Sequence, residues 1–585
     1  MYCTSVCQKR DWSGRHKAVC KSYSATRDGA VLGLICAVQS GNTAWVKMEL
    51  ERGGRVKADK FLLLKGKNIH GWSPLFVAVQ IGDVAVVEVL LQAGANVNKV
   101  NADGLSPLYM AAVEGHAAVA AALLNAGATG DYALVSDGST SLMVAAEKGY
   151  EGVVEALLAW VEIDKTRHDG STALTIAVDH DRTAVVVALS GAGANVEKAY
   201  DGYRPLYNAA QRGYLTTLEA LLRAGADMEK AVDDNGATSL MVAAENGHEA
   251  VVSALLLAGA GVNVARVSDG ATSLMIAASV GHMAVLTVLL QADPDVNAVS
   301  HDGDSALLFA AIKGHTSVVT ALLEAGAGLE GPPPDRSFRH GGMTALHGAA
   351  DGGHEKTVLA LLERGAIVDA IGSESWFTPM FTAMRKGNEA VCAALLRAGA
   401  EVNKANSQGQ TALYAAALRG HQAALAMLLR AGAEVGPKCC DGATPLMIAA
   451  ERGHKAVVLA LIEAGAVIDE AKDDGMTALL LAAKMGQEAV LVALLRAGAT
   501  VELADTCGYT PLFHAAEIGS MAMVSALLEA GADPEKAGNY RLPARVQQRG
   551  ASRRRRAKEG HTPLAVAAQH GHWAVVAALR RGIRR

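Results

Sequence analysis

The chain has 585 residues, 51% hydrophobic but only 4% aromatic, with 61 glycines; this is the profile of many short helices packed by small residues, not of one large core. No apolar run approaches the ~18 residues of a membrane span, and an N-terminus that mixes Lys9, Arg10 and Arg15 with cysteines has no apolar signal segment. The net charge of -5 is unevenly spread: residues 1–60 hold 11 Lys/Arg against 5 Asp/Glu and residues 541–585 hold 12 against 1, so the long middle is acidic and would repel nucleic acid along most of its length.

Residues 1–24 open with the pattern C-x3-C-x8-H-x3-C, formed by Cys3, Cys7, His16 and Cys20. Three thiols and an imidazole make a tetrahedral zinc set. Tyr2-Cys3, Cys7-Gln8, Asp11-Trp12, His16-Lys17 and Cys20 together resemble the closing half of a MYND-type zinc finger. The resemblance implies four ligand pairs and two cross-braced zinc ions, with the third and fourth pairs serving different ions. It also implies a module for proline-containing peptides. No C-x2-C pair occurs in the chain to complete such a finger. Two readings follow. Either the four ligands converge on one zinc, or the chain begins inside the finger, which the position of Met1 directly before Tyr2-Cys3 favours. Zinc is thus the one cofactor expected, bound if the finger is complete or the residual ligands converge. The remaining cysteines are too sparse for a disulfide framework, and a reducing intracellular setting fits them, cytoplasmic and/or nuclear.

Residues 28–56 read as a degenerate repeat unit, and from His70 one phrase returns. It reads HGWSPLFVAVQIGDVAVVEVLLQAGANVN at 70–98, DGLSPLYMAAVEGHAAVAAALLNAGA at 103–128 and DGATPLMIAAERGHKAVVLALIEAGAVID at 441–469. Fifteen such units follow the degenerate one, most at steps of 32–34 residues. The Asp-Gly supplies a tight turn. The next Ser or Thr, often followed by Pro, starts a helix as its cap; Arg204 fills that slot in one unit. An alanine-rich first helix ends at Gly-His, and a second helix with large apolar residues at helical spacing ends at glycine. Helices of about eight to ten residues do not hold alone in water, so each unit folds only against its neighbours. Two insertions, EGPPPDRSFRH (330–340) and AGNYRLPARVQQRGASRRRRAKE (537–559), read as exposed loops, the second disordered.

The T-P-L-x-x-A-A-x-x-G-H-x-x-V-V-x-x-L-L-x-x-G-A pattern resembles the ankyrin repeat. The resemblance implies a mainly α solenoid of stacked helix–turn–helix units with β-hairpin-like loops and a groove where partner proteins are held. The expected order is a partial finger (1–24), repeats over 28–330, a Pro-rich loop (331–340), repeats over 341–536, a basic insertion (537–559) and a terminal repeat (560–585). The histidine that the family places after T-P-L is present only as His347; elsewhere the slot holds residues such as Phe76, Tyr109, Met143 and Tyr414, and apolar packing is expected there instead.

A catalytic search is empty: no HExxH, Walker-type loop or G-x-S-x-G is present. Gly326, Gly328 and Gly331 form a G-x-G-x-x-G, but it runs into three prolines, with no helix start to hold a pyrophosphate. His168-Asp169 and His301-Asp302 sit at the repeat's turn, and His248, His282, His315, His421 and His454 recur at one position, which is a structural signature. Between the turn glycine and the Ser/Thr, seven units carry a large side chain: Trp72, Leu105, Tyr203, Met343, Phe377, Met476 and Tyr509. Near a groove rim these are candidate anchors for a partner, or else they pack on a neighbouring hairpin. Arg553–Arg556 could serve as a nuclear localisation signal. The expected function is a non-enzymatic scaffold for other proteins, with no small-molecule substrate. The alternative is a regulatory or adaptor part of a larger MYND-containing protein, nuclear or with an upstream catalytic domain.

Overall fold

A computed structural model of the chain describes residues 29–51, 60–64, 67–231, 236–331, 343–372, 377–538 and 562–583; the side chains of 29–33, 60–64 and 67–72 are outside that description. Sixteen helix pairs are present among these residues, from Gly29–Gln39 with Thr43–Glu51 to Pro563–Gln569 with Trp573–Ile583. That is one pair for each of the fifteen units and one for the degenerate unit before them. The zinc-ligand positions Cys3, Cys7, His16 and Cys20, the Arg553–Arg556 run and most of both insertions lie outside the described residues.

The chain forms two compact units, Met1–Ser268 with Gln291–Asp293, and Asp269–Leu290 with Pro294–Arg585. In the first, Ser106 caps Pro107–Glu114 by accepting the Tyr109 N–H at 3.1 Å. In the second, Thr444 does the same for Met447 at 3.3 Å, with Pro445 in the first turn. Pro445 through Ala450 are buried in an unbroken run. A helix enclosed on every side needs no polar face, and its alanines let neighbours approach. The following helix, Lys455–Glu463, buries only Val457, Val458 and Leu461, one stripe at the i, i+1, i+4 spacing of an amphipathic helix.

The second unit continues its stack past the Pro-rich loop. Ala306–Lys313 and Ala345–Gly352 pack side by side, and Gly348 is the reason they fit. A Cβ there would lie 2.8 Å from Ile312 and 2.9 Å from Leu308.

One element was not legible in the sequence. Lys60–Leu64 and Lys67–Trp72 pair as antiparallel strands, Lys60 opposite Trp72 and Leu64 opposite Lys67, with an irregularity between Lys60 and Leu62. Phe61-Leu62-Leu63-Leu64 is a continuous apolar run, so the alternation that marks a half-buried strand is missing.

Two ladders of side-chain bonds tie successive repeats. The recurrent histidine reaches back one repeat to a carbonyl near the end of the preceding first helix. In the first unit His116 Nε2 donates to Gln80 O at 3.2 Å and His248 to Gln211 O at 3.0 Å. In the second, His315, His354, His454 and His572 do the same at 3.0–3.2 Å. Where the slot is not histidine, Arg182, Asn388 and Gln487 supply the donor. The slot does not always carry such a donor, since Asp83 and Ser520 there cap the helix that follows, but the turn reading of these histidines acquires a specific role.

The second ladder runs along the loops after the second helices. Asn98 accepts the Thr129 N–H at 2.8 Å, Asp131 that of Glu162 and Asp164 that of Asn195. In the second unit Asp369 serves Glu401, Asn403 serves Glu434 and Asp469 serves Thr500, each at 2.9 Å. The rung between Asn403 and Asp469 falls on Gly436, which has no side chain to make it. An added Cβ at Gly436 meets nothing within 4 Å, and Val467, 31 residues on like the partner in the rungs on either side, is exposed. Gly436→Asn is therefore expected to stabilise the second unit by about 0.5–1.5 kcal/mol, from one hydrogen bond and a less flexible unfolded chain. Urea denaturation followed by circular dichroism checks this; an unchanged or lower midpoint counts against the missing rung.

Candidate partner-binding surface

The turn that presents each candidate anchor is built by short-range bonds. Asn101 Oδ1 accepts the N–H of Leu105 at 2.9 Å, and Asn101 N–H donates to Leu105 O at 3.0 Å. Asp505 Oδ1 accepts the Tyr509 N–H at 2.9 Å. His168 and His301 belong to the same architecture: their backbone N–H groups donate to Asp137 O and Asp269 O of the preceding turns at 2.9 and 2.8 Å. Asp169 is occupied by Ser171, whose N–H and hydroxyl it accepts at 2.9 and 2.7 Å.

Three of the seven anchors are aromatic residues braced by a ring four positions on, in the first turn of their own helix. Tyr203 stacks on Tyr207 at 5.5 Å and 24°, Phe377 on Phe381 at 4.5 Å and 16°, and Tyr509 on Phe513 at 4.1 Å and 21°. The slot where the ankyrin pattern has histidine is thus the platform on which the preceding aromatic rests. Tyr203 keeps 41% of its surface exposed, while Phe377, Leu105, Met343 and Tyr509 are half-buried. Met476, at 3% exposure, is enclosed and offers little surface to a partner. Trp72 ends the second strand of the hairpin, and its side chain lies outside the described residues. Each of these three stacks is internal to one repeat.

The single family-type histidine behaves differently. His347 is buried; its Nε2 donates to Phe377 O at 2.8 Å, and its Nδ1 lies 2.9 Å from Thr344 Oγ1 and 3.4 Å from Thr344 N. Burial holds its pKa below the ordinary 6.5, against the opposing pull of the Phe377 and Ala370 carbonyls. It therefore fixes a hairpin and offers no free nitrogen for chemistry.

Two buried cysteines, Cys392 and Cys439, have their thiol chemistry suppressed. Burial pushes the Cys392 thiol up to about 12. Burial and a hydrogen bond to Asp441, with Sγ to Oδ1 at 2.6 Å, raise Cys439. That bond, together with Lys472 at 2.8 Å, holds Asp441 at about 2. Neither thiol is a thiolate near neutral pH, so neither is a nucleophile. Gly326 and Gly328 of the G-x-G-x-x-G serve the loops: Gly326 closes a second helix at φ +91° and Gly328 N–H donates to Asn297 at 2.8 Å. Among the described residues no group of three or more His, Cys, Asp or Glu side chains is placed to hold a metal ion, and no helix is long and apolar enough to cross a membrane.

Sequence reasoning passed over one charged feature. A recess of about 480 Å³ in the second unit is lined by Arg385, Lys386, Arg419 and His421. Aligning the repeats gives part of the signal, since Lys386, Arg419 and Arg452 share one position while Lys484 stands one residue earlier; the four are the last residues of consecutive first helices.

A search of the curated proteins found no match. Among solved structures, the crystal structure of the human ASB11 ankyrin repeat domain is similar at 31% identity, over 39% of this chain and 98% of that one, with a TM-score of 0.35. The family model described as ankyrin repeats (3 copies) matches residues 34–133, 142–231, 183–267, 206–300, 274–371, 370–439, 432–505 and 492–584. Matches over most of the sequence coincide with the paired helices, glycine stops and hairpin turns seen in both units, and the chain belongs to the ankyrin repeat family.

Proposed function

We propose that this chain is a non-enzymatic interaction scaffold that holds partner proteins on the hairpin slots and first-helix ends of its repeats. The observation that carries this reading is the stacked aromatic at the hairpin slot. Tyr203, half-exposed and resting on Tyr207, presents an apolar face whose rotamer is already set, so little side-chain entropy is lost when a partner covers it. Phe377 on Phe381 and Tyr509 on Phe513 repeat the device. Affinity capture from cells with the wild-type chain and with Tyr203→Ala, Phe377→Ala and the pair Trp72→Ala with Leu105→Ala tests it. Partners retained by the wild type are expected to be weakened at least ~10-fold by one of these changes, the scale of an interface anchor. A partner set unchanged in all three variants removes these positions from the binding surface.

A second reading rests on the spacing of Cys3, Cys7, His16 and Cys20 and on the non-ligand residues shared with MYND-type fingers. In it the N-terminus is a zinc-dependent module attached to the scaffold. Zinc content of the purified chain, compared with a Cys7→Ser variant, tests it; equal content in both sinks it.

A further inference from the structure

Four consecutive first helices of the second unit, Pro379–Lys386, Ala412–Arg419, Pro445–Arg452 and Ala478–Lys484, end in a cation and pack side by side. Arg385 adds a fifth positive charge. The ordinary explanation is that cations complement the carbonyl-rich end of a helix. That rule does not demand an unbroken run, because first helices of the other unit are mixed: Ser141–Lys148 and Pro205–Arg212 end in a cation, Pro107–Glu114 and Ser239–Glu245 in glutamate. Local pairing does not account for the stripe either. Asp351 lies 3.0 Å from Arg385 and 3.4 Å from Lys386, one acid against two cations. Arg419, Arg452 and Lys484 are exposed and form no ion pair among the described residues. Arg385 Nε is enclosed without a hydrogen-bond partner beside the recess that Arg385, Lys386, Arg419 and His421 line.

We propose that this stripe is a docking site for an extended acidic peptide of a partner protein, carrying a carboxylate at every third residue. The proposal rests on the scaffold reading and specifies its partner chemistry. Packed helices stand about 8–10 Å apart, and a peptide in the polyproline II conformation advances about 3.1 Å per residue with three residues per turn, so carboxylates at i, i+3, i+6 and i+9 share one face and meet successive helix ends. The equivalent positions of the repeats on either side are Gly352 and Ile518, each preceded by an acid, Asp351 and Glu517, and within the stripe Glu451 precedes Arg452, so the cations stop at both ends with acid beside them. A short peptide fits within those bounds, whereas a long polyanion such as RNA would be carried onto the flanking carboxylates.

The test is fluorescence anisotropy of the full chain with the labelled peptide ESSESSESSE at about 50 mM salt, against a permutation of the same composition with its four glutamates consecutive. The spaced peptide is expected to bind more tightly than the clustered one. Single changes Arg419→Gln, Arg452→Gln and Lys484→Gln should each weaken it about 2- to 5-fold, the range that exposed ion pairs support. The combined reversal Arg419→Glu, Arg452→Glu and Lys484→Glu should abolish binding while leaving the circular dichroism spectrum intact, since all three side chains are exposed. Equal binding of the two peptides, binding retained by the reversal variant, or a single-stranded RNA of matched length that outcompetes the spaced peptide would each overturn the proposal. If partners are still captured through Tyr203 or Phe377 in that case, the scaffold reading stands and only the acidic-peptide assignment fails.

Discussion

Gly420→Ala is expected to destabilise the second unit by about 2–3 kcal/mol, whereas Gly432→Ala, twelve residues further on, costs about 1–2 kcal/mol. Both glycines sit in the left-handed region, at φ +78° and +88°, where a Cβ costs roughly 1–2 kcal/mol by itself. Their surroundings differ. Nothing lies within 4 Å of a Cβ at Gly432, while at Gly420 it would stand 2.5 Å from Nδ1 of His454. The imidazole must swing away, and its bond from Nε2 to Leu418 O, 3.2 Å long, goes with it, a loss of about 0.5–1.5 kcal/mol. A double-mutant cycle isolates this. In a His454→Ala background, Gly420→Ala should cost no more than Gly432→Ala, because the ring that made the position special is gone. Equal costs for the two glycines in the wild-type background, read from urea midpoints, would show that the histidine ladder carries no stability.

Acidification below pH 6.5 is expected to weaken the second unit through His347, and His347→Met should remove that part of the pH dependence. Burial is the reason its folded pKa is depressed, since an imidazolium at this position would be held away from water. With the folded value below the unfolded 6.5, the unfolded chain binds more protons. The contribution is therefore fully present above pH 6.5 and is lost as the pH falls toward the folded value, with a slope no steeper than about 1.4 kcal/mol per pH unit. Methionine already fills the equivalent slot as Met143, Met241, Met275 and Met447, so the substitution suits the fold. At pH 7.5 it should cost about 1–2 kcal/mol for the lost bonds to Phe377 O and Thr344. By pH 5 the gap between variant and wild type should narrow. A constant gap across that range would mean that His347 does not titrate differently in the folded chain.

The groove anchors were chosen by slot alone, and slot alone was a limited guide. Tyr203 and Met476 occupy the same place in the repeat phrase, yet one is 41% exposed and the other 3%. A flexible methionine folds inward where space permits, whereas a tyrosine stacked on Tyr207 keeps its face outward. The basic stripe went unread for the opposite reason. Lys386, Arg419, Arg452 and Lys484 are about 33 residues apart in the chain and look like isolated helix ends until the helices are stacked.

What the sequence determined by itself is therefore the repeat unit. The Ser/Thr caps, glycine stops, alanine-rich first helices and one-sided second helices are local rules, acting within a few residues and written out in each repeat. Only the tertiary structure decided what joins one repeat to the next: which imidazole lies over which glycine, which loop side chain reaches the next loop's N–H, where Gly348 lets two helices close together, and that four scattered cations form one surface. These are contacts between residues about thirty or more positions apart, and they depend on how side chains meet when the units stack, which no local pattern encodes.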